Sequence, residues 1–433
     1  MYLRTLKLSA IRAFDSLEIE FPAAPAAGWH VILGDNGSGK STLIRSLALG
    51  LAGPDEAKAL RQPWSDWLRR GEERGSIEVA VERDPGVDAL TGRGPKPANV
   101  VGGSIELRRV KSGRGDTVEI VRRSKPGRAA RTIWGKGRGW FSASFGPYRR
   151  FGGGNREWDR VFLSNPKLAP HLSVFGEDVA LTEALAWLQE IHVKRLEKDP
   201  QATALLDDLV KFINESAILP HATRVDEVTS DGVFFIDAAQ CRLPVDQLSD
   251  GFRSILSLTF ELLRLLVRCY GPDAVFRNIR KGTMAIDLPG VVAIDEIDAH
   301  LHPAWQREIG PWFLRTFPQI QFIITTHSPI ICQAAEHGSV WRLPTPGMDG
   351  QAQQVAGEDL KKLVLGNVLD AFDTDLFGAK VALSNSARSK LAQLAKLNRR
   401  LLTGSLTKQE EVTREKLREE LPSGTLVQRR KAS

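Results

Sequence analysis

Gly34-Asp35-Asn36-Gly37-Ser38-Gly39-Lys40-Ser41 carries the G-x-x-x-x-G-K-[ST] spacing of a phosphate-binding loop. Glycines at this spacing let the backbone curl until its N–H groups point inward at phosphate oxygens. A helix that starts at the loop adds its positive dipole end. In that chemistry Lys40 reaches the β- and γ-phosphates and the Ser41 hydroxyl ligates Mg²⁺. Gly34, Asn36, Gly37, Ser38, Gly39 and Thr42 complete a nucleotide cradle.

A second set of chemical groups lies far along the chain. Asp295 and Glu296 end the apolar run Val291-Val292-Ala293-Ile294, the place where α/β sheets present ligands. Asp295 is suited to hold the Mg²⁺ shell, and Glu296 to orient or deprotonate an attacking water. Taken alone, such a pair can equally cap the following helix. His327 closes a second apolar run, Phe322-Ile323-Ile324, where a side chain could reach a γ-phosphate. In Leu248-Ser249-Asp250-Gly251-Phe252-Arg253, Ser249 and the helix start after it could bind a phosphate, or could form an ordinary cap and turn.

The elements that must position these groups follow from hydrophobic periodicity. Trp29 to Leu33 reads as the strand into the loop and Thr42 to Leu51 as the helix out of it. Val291 to Ile294 and Gln321 to Ile324 read as buried parallel strands joined by a helix, Pro303 to Phe317. Alternating runs at Leu6/Leu8, Leu17/Ile19/Phe21, Ile77/Val79/Val81, Ile105/Leu107 and Val118/Ile120 predict an antiparallel sheet with one wet face. Leucine spacing over 178–218, broken at Pro200, predicts a short helical arm without sustained heptads. Ser230-Asp231-Gly232 marks a hairpin. The tail from 357 reads as helical, with a Leu391/Leu394/Leu397 stripe and a capping box at Thr407-Lys408-Gln409-Glu410.

With 433 residues, 42% hydrophobic and 26% charged, the chain is long enough for two to three domain-sized units. No apolar run reaches the ~18–20 residues of a membrane span, and the N-terminus lacks a signal-peptide pattern. Three scattered cysteines, Cys241, Cys269 and Cys332, predict a reducing compartment, so a cytoplasmic protein is expected. Net charge is +7, yet residues 101–150 hold thirteen Lys/Arg against three acids, +10 in that window and −3 elsewhere. Residues 108–150 could therefore contact DNA, could meet an acidic protein, or could be a solvated hairpin tip.

Together these motifs resemble the ABC-type ATPase family, in the branch with SMC and RecF-like proteins. The order matches: Walker A at 34–41, signature at 248–253, Walker B at 291–296, D-loop at Asp298 and switch His327. The runs GVVAIDEIDAHLHP and FPQIQFIITTHSP are similar to compact bacterial ATPases with an overlooking-lysogenization-like core, many of them in anti-phage systems such as Septu and retron modules. The resemblance implies an α/β P-loop NTPase of ABC/SMC-head type, with an antiparallel β subdomain, a short helical arm insertion and a helical C-terminal tail. Its expected segments are lobe I at 1–125, a Q-loop-like segment and arm at 126–222, lobe II at 223–345 and the tail at 346–433.

The resemblance also implies ATP and Mg²⁺ as cofactors and a head-to-tail homodimer that sandwiches two ATPs. Lys40, Ser41, Asp295 and Glu296 of one subunit would face Ser249 and Gly251 of the other. Arg12 falls where this branch often has a basic residue near the nucleotide. Asp250 stands where transporters usually have Gly, and no Gln appears at 140–150, where a Q-loop would fall. One functional reading is a defence ATPase that regulates a partner effector such as a nuclease. The alternative is a RecF-like DNA-repair clamp. A transporter ATPase is disfavoured by the RecF-like N-terminus and the missing Gln. A nuclease in its own right is disfavoured because Asp373-Thr374-Asp375 has no buried strand before it, and His300 and His302 lack a third metal ligand.

Overall fold

The computed structural model describes the chain except residues 61, 112–115, 123–127, 150–163, 177–181, 220–221, 349, 373, 378–383, 405 and 422–433. Contacts divide it into a larger unit, Met1–Leu365, and a smaller one, Gly366–Ser433.

The larger unit is built on a six-stranded sheet. Its strands are β3 (Gly28–Leu33), β7 (Ser142–Phe145), β11 (Gly290–Ile294), β12 (Ile320–Thr325), β13 (Gly338–Arg342) and β14 (Gln353–Gln354), in the order β14-β13-β3-β12-β11-β7. Only β14 runs antiparallel; the other five are mutually parallel. Every residue of β3, β11 and β12 is buried, which explains their nearly unbroken apolar sequences: both faces of a parallel sheet are covered. Parallel strands all end at one edge, so the segments after β3, β7, β11 and β12 are gathered there.

A second sheet is antiparallel, in the order β2-β1-β4-β5-β6, from β1 (Tyr2–Ile11), β2 (Phe14–Glu20), β4 (Arg74–Glu82), β5 (Val100–Val110) and β6 (Thr117–Arg122). Leu6 and Leu8 are buried while Lys7 and Ser9 are exposed, the one-wet-face pattern. Helix α1 (Lys40–Ala52) joins the two sheets, because Leu43, Ile44 and Leu47 share a core with Ile77, Val79, Ile105 and Leu107 on one side and Ala293 and Ile323 on the other. The approach of helix to sheet is close at Gly50: a Cβ there would lie 2.5 Å from Val79 Cγ1.

The arm is a pair of helices, α2 (Thr182–Leu196) and α3 (Pro200–Glu215), with Asp199 capping α3 through the Gln201 and Ala202 amides. It folds back onto the unit. Phe212 meets the rings of Trp312 and Phe317, Trp312 Nε1 donates to the Ser216 carbonyl at 2.6 Å, and Arg280 pairs with Asp208. A hairpin, β8 (Arg224–Thr229) and β9 (Gly232–Ile236), takes β10 (Arg242–Pro244) as a third strand. Helices α4 (Asp250–Tyr270) and α5 (Pro303–Thr316) complete the unit. In the smaller unit, α6 (Asn385–Thr403) and α7 (Lys408–Glu420) pack Leu391, Leu394 and Leu397 against Leu417 and Leu421, and Thr407 and Glu410 form a reciprocal capping box.

Two features differ from the sequence-based expectation. Ser142–Phe145, in a stretch read only as rich in Gly, Arg and aromatics, is the edge strand of the central sheet; four residues are too few to show a period. Beyond 346, where the helical tail was expected to start, β14 still pairs with β13.

Candidate active site

The segment after β3 turns tightly at Gly37 (φ +82°) and Gly39 (φ +96°), and α1 starts from Gly39 in the left-handed region without a side-chain cap. Glycine is required at Gly39 on two counts. A side chain is strained at that φ, and a Cβ would sit 2.5 Å from the Phe14 ring. At Gly34 a Cβ would sit 2.4 Å from Ser38 Oγ. That hydroxyl is buried and makes no hydrogen bond, although a buried polar atom normally has a partner. Lys40 is 6% exposed, and its Nζ donates to the carbonyls of Gly34 (2.7 Å) and Asp35 (3.1 Å), back across its own loop. Burial pulls the Lys40 ammonium down from its ordinary value, while Glu296, Asp295, Asp35 and Asp298 push it up. An orphaned hydroxyl, an uncapped helix start and a lysine facing acids fit a bound polyphosphate. Ser41 is half-buried and Thr42 buried beside them, and Asn36 is exposed at the loop tip.

On the neighbouring strands one hydroxyl organises two acids. Thr325 Oγ1, at the end of β12, donates to Asp295 Oδ1 and accepts from the Glu296 amide at 2.7 Å. Asp295 is 2% exposed. Glu296 adopts φ +47°, a left-handed conformation that costs a non-glycine residue about 1–3 kcal/mol and gathers at functional sites. Thr326 Oγ1 likewise donates to Asp298 Oδ1, and His327 is exposed just beyond. In the ITTH run the two threonines, besides the histidine, matter to the site, because they hold the acids.

Arg149 changes role altogether. Counted within the basic window, it is buried, 6% exposed, rather than available to a partner. It follows β7 and reaches behind the Asp295-Glu296 turn. Nη1 donates to the carbonyls of Gly146 (3.0 Å) and Asp295 (2.9 Å), and Nη2 to those of Glu296 (3.0 Å) and Ile297 (3.3 Å). Nε donates to Ser254 Oγ at 3.1 Å. Burial pulls its pKa down to about 10, opposed by Asp295, Asp298 and Glu296, so it stays charged at neutral pH. Its neighbour in the window, Arg131, donates to the carbonyls of Thr91 and Gly94. Residues 114, 123, 125 and 150 of the window, and the side chains of 122 and 128, lie outside the described residues.

Ser249 and Gly251 occupy the start of α4, where Gly251 faces the His300 carbonyl: a Cβ there would lie 3.0 Å from it. Ser249 is exposed and is the residue before the helix, yet its side chain makes no capping bond, unlike an ordinary cap and turn. Arg12 lies over the Trp67 ring at 4.3 Å, and nearby Arg45 of α1 adds to the lowering of its pKa by burial. His302 accepts from the Ala304 amide and caps α5. Among the described residues, no three His, Cys, Asp or Glu side chains gather into a metal cluster, and no helix is long and apolar enough to cross a membrane.

Comparison with known proteins finds similarity in both halves of the chain. Residues 5–140 match a family described as an AAA domain, and residues 156–333 one described as "AAA domain, putative AbiEii toxin, Type IV TA system". A Septu protein PtuA from Bacillus mycoides is 23% identical over 359 residues, 78% of this chain and 40% of that protein. A retron Ec83 probable ATPase from Escherichia coli is 43% identical over 108 residues, 25% of this chain and 18% of that protein. The matches thus span less than half the length of these two relatives. A DNA replication and repair protein RecF from Symbiobacterium thermophilum is 37% identical over 90 residues, 21% of this chain and 22% of that protein. With its glycine-rich loop after β3 and its acidic turn after β11, one strand apart at the same edge of a parallel sheet, the chain carries AAA-domain matches in both halves and is similar in sequence to Septu, retron and RecF proteins.

Proposed function

We propose that this chain binds and hydrolyses ATP as a head-to-tail dimer and so regulates a partner effector, a nuclease, in bacterial anti-phage defence. The observation that carries the ATPase reading is that the Lys40 loop and the Asp295-Glu296 turn leave the same edge of the parallel sheet, after β3 and β11 with β12 between them, while Ser249 makes no capping bond at the start of α4. ATP with Mg²⁺ supplies the phosphoanhydride bond and the charge that polarises it. Gly34, Asn36, Gly37, Ser38, Gly39, Lys40 and Thr42 hold the phosphates, and Ser41 and Asp295 hold the metal. The Glu296 carboxylate accepts the proton of the attacking water, and His327 reaches the terminal phosphate. Arg12, which lies over the Trp67 ring, is assigned a basic contact to the nucleotide. Ser249 and Gly251 of a second copy close over it. Kinship to Septu and retron proteins supports the defence role and a cytoplasmic setting.

A mixing experiment tests the split site. Lys40→Ala and Ser249→Arg are each expected to be inactive alone, because one lacks the loop cation and the other the signature hydroxyl. A mixed dimer contains one site built from an intact loop and an intact signature. Mixing should therefore restore about a quarter of wild-type ATPase activity, from random pairing with one sound site of two. No recovery on mixing would rule out shared sites.

The RecF match and the basic window favour a second reading, an ATP-dependent clamp on DNA. Reversing Arg122, Arg123 and Arg128 together should then weaken DNA binding and flatten its salt dependence by about 0.9 in slope for each phosphate no longer neutralised. Unchanged affinity and slope across a salt titration would assign these charges to a protein partner.

A further inference from the structure

The guanidinium of Arg149 is placed where neither the phosphate loop nor the acidic turn needs it for nucleotide contact. Each of its five N–H hydrogens has an acceptor: one serine hydroxyl and four backbone carbonyls, none of them a carboxylate. Three of those carbonyls belong to consecutive residues, Asp295, Glu296 and Ile297. Aiming three successive carbonyls at one group demands a sharply curled backbone, and Glu296 is the residue that takes the left-handed φ of +47°. Of the two remaining hydrogen bonds, one goes back to the Gly146 carbonyl and the other to Ser254, in the first turns of α4, five residues beyond Ser249. One buried side chain therefore joins the turn bearing the general base to the helix that starts at the signature.

Resting on the ATPase reading, we infer that Arg149 is a positioning residue: it holds Glu296 in working geometry and transmits displacement of α4 to it through Ser254. The long-range charges agree with this placement, since Asp295, Asp298 and Glu296 all favour the charged guanidinium. A planar fork suits the task. A lysine ammonium has three hydrogens on one nitrogen and cannot span a fan of carbonyls and Ser254 at once. The missing Gln at 140–150 fits the same picture, because the segment after β7 reaches the acidic turn by a different side chain.

Arg149→Lys tests it in four measurements. In the nucleotide-free protein, hydrogen exchange should rise in residues 291–298 while β3 keeps its protection. ATP affinity should stay within about threefold of wild type while kcat falls about 100-fold. In a Glu296→Gln background the same change should cost less than about threefold, because both substitutions disable one unit. Thermal melting should still show a single folded transition. A kcat within threefold of wild type overturns the inference, as does an equal loss in the Glu296→Gln background or an exchange increase spread over the whole larger unit. If Arg149→Lys does not fold, Ser254→Ala decides: it removes a single acceptor, and unchanged kcat would overturn the link to α4. Wild-type protein that fails to hydrolyse ATP defeats the ATPase reading itself, an outcome separate from an active Arg149→Lys.

Discussion

Glu296→Gln is expected to leave ATP binding intact and to slow turnover by about 10²–10⁴-fold, the range a positioned general base supplies. The amide keeps the shape of the side chain but cannot accept the proton of an attacking water. Nothing in the change disturbs the backbone contacts that set the turn, because Thr325 Oγ1 and Arg149 hold the main chain of Glu296 rather than its carboxylate. Binding and chemistry should therefore separate cleanly. If two copies close over ATP and open after hydrolysis, the variant should also accumulate as a dimer with ATP. Phosphate release under single-turnover conditions, with light scattering on the same sample, reads both effects. A variant that stays monomeric with ATP sinks the sandwich arrangement, and one that turns over at the wild-type rate removes Glu296 from the chemistry.

Lys40→Ala should abolish nucleotide binding in the working range. A hydrogen bond to a charged group contributes about 1.5–3 kcal/mol, which alone weakens affinity by about 10–150-fold. The larger part of the effect is electrostatic. Lys40 is the cation of the loop that faces Asp295, Glu296 and Asp298, and without it a polyphosphate would enter a site dominated by carboxylates. Thermal shift gives a direct reading. A ligand at 100 times its Kd stabilises a folded protein by about 2.7 kcal/mol, so wild type should melt higher with ATP and Mg²⁺ while the variant should not move. An equal shift in both proteins would place the nucleotide elsewhere.

Much of the candidate site was legible in one dimension because phosphate binding is a local backbone problem. Eight contiguous residues fix the curl, the glycines and the lysine, and Gly39 is required by its own φ before its contact with Phe14 is counted. The acidic pair was legible for a related reason: a strand buried on both faces announces its own end, as Gly290–Ile294 does before Asp295. The antiparallel sheet, the helical pair at Pro200 and the capping box at Thr407 follow from periods of 2 and 3.6 and from cap chemistry.

What the sequence could not supply was partnership across distance. A threonine before a histidine looks like any strand residue until β12 lies beside β11 and its hydroxyl bridges Asp295 and the Glu296 amide. Arg149, one of thirteen cations in a basic window, looked like surface charge, since composition does not distinguish a buried guanidinium from a solvated one. Its five acceptors are distributed over residues 146, 254 and 295–297 and exist only after β7 has joined the sheet edge. The sequence by itself thus determined the glycine-rich loop between β3 and α1, the acidic pair that ends β11 and the α/β frame, all set by short-range patterns. Only the tertiary structure decided which hydroxyls orient the acids and which arginine grips the turn, because those contacts depend on strand order, which no local spacing encodes.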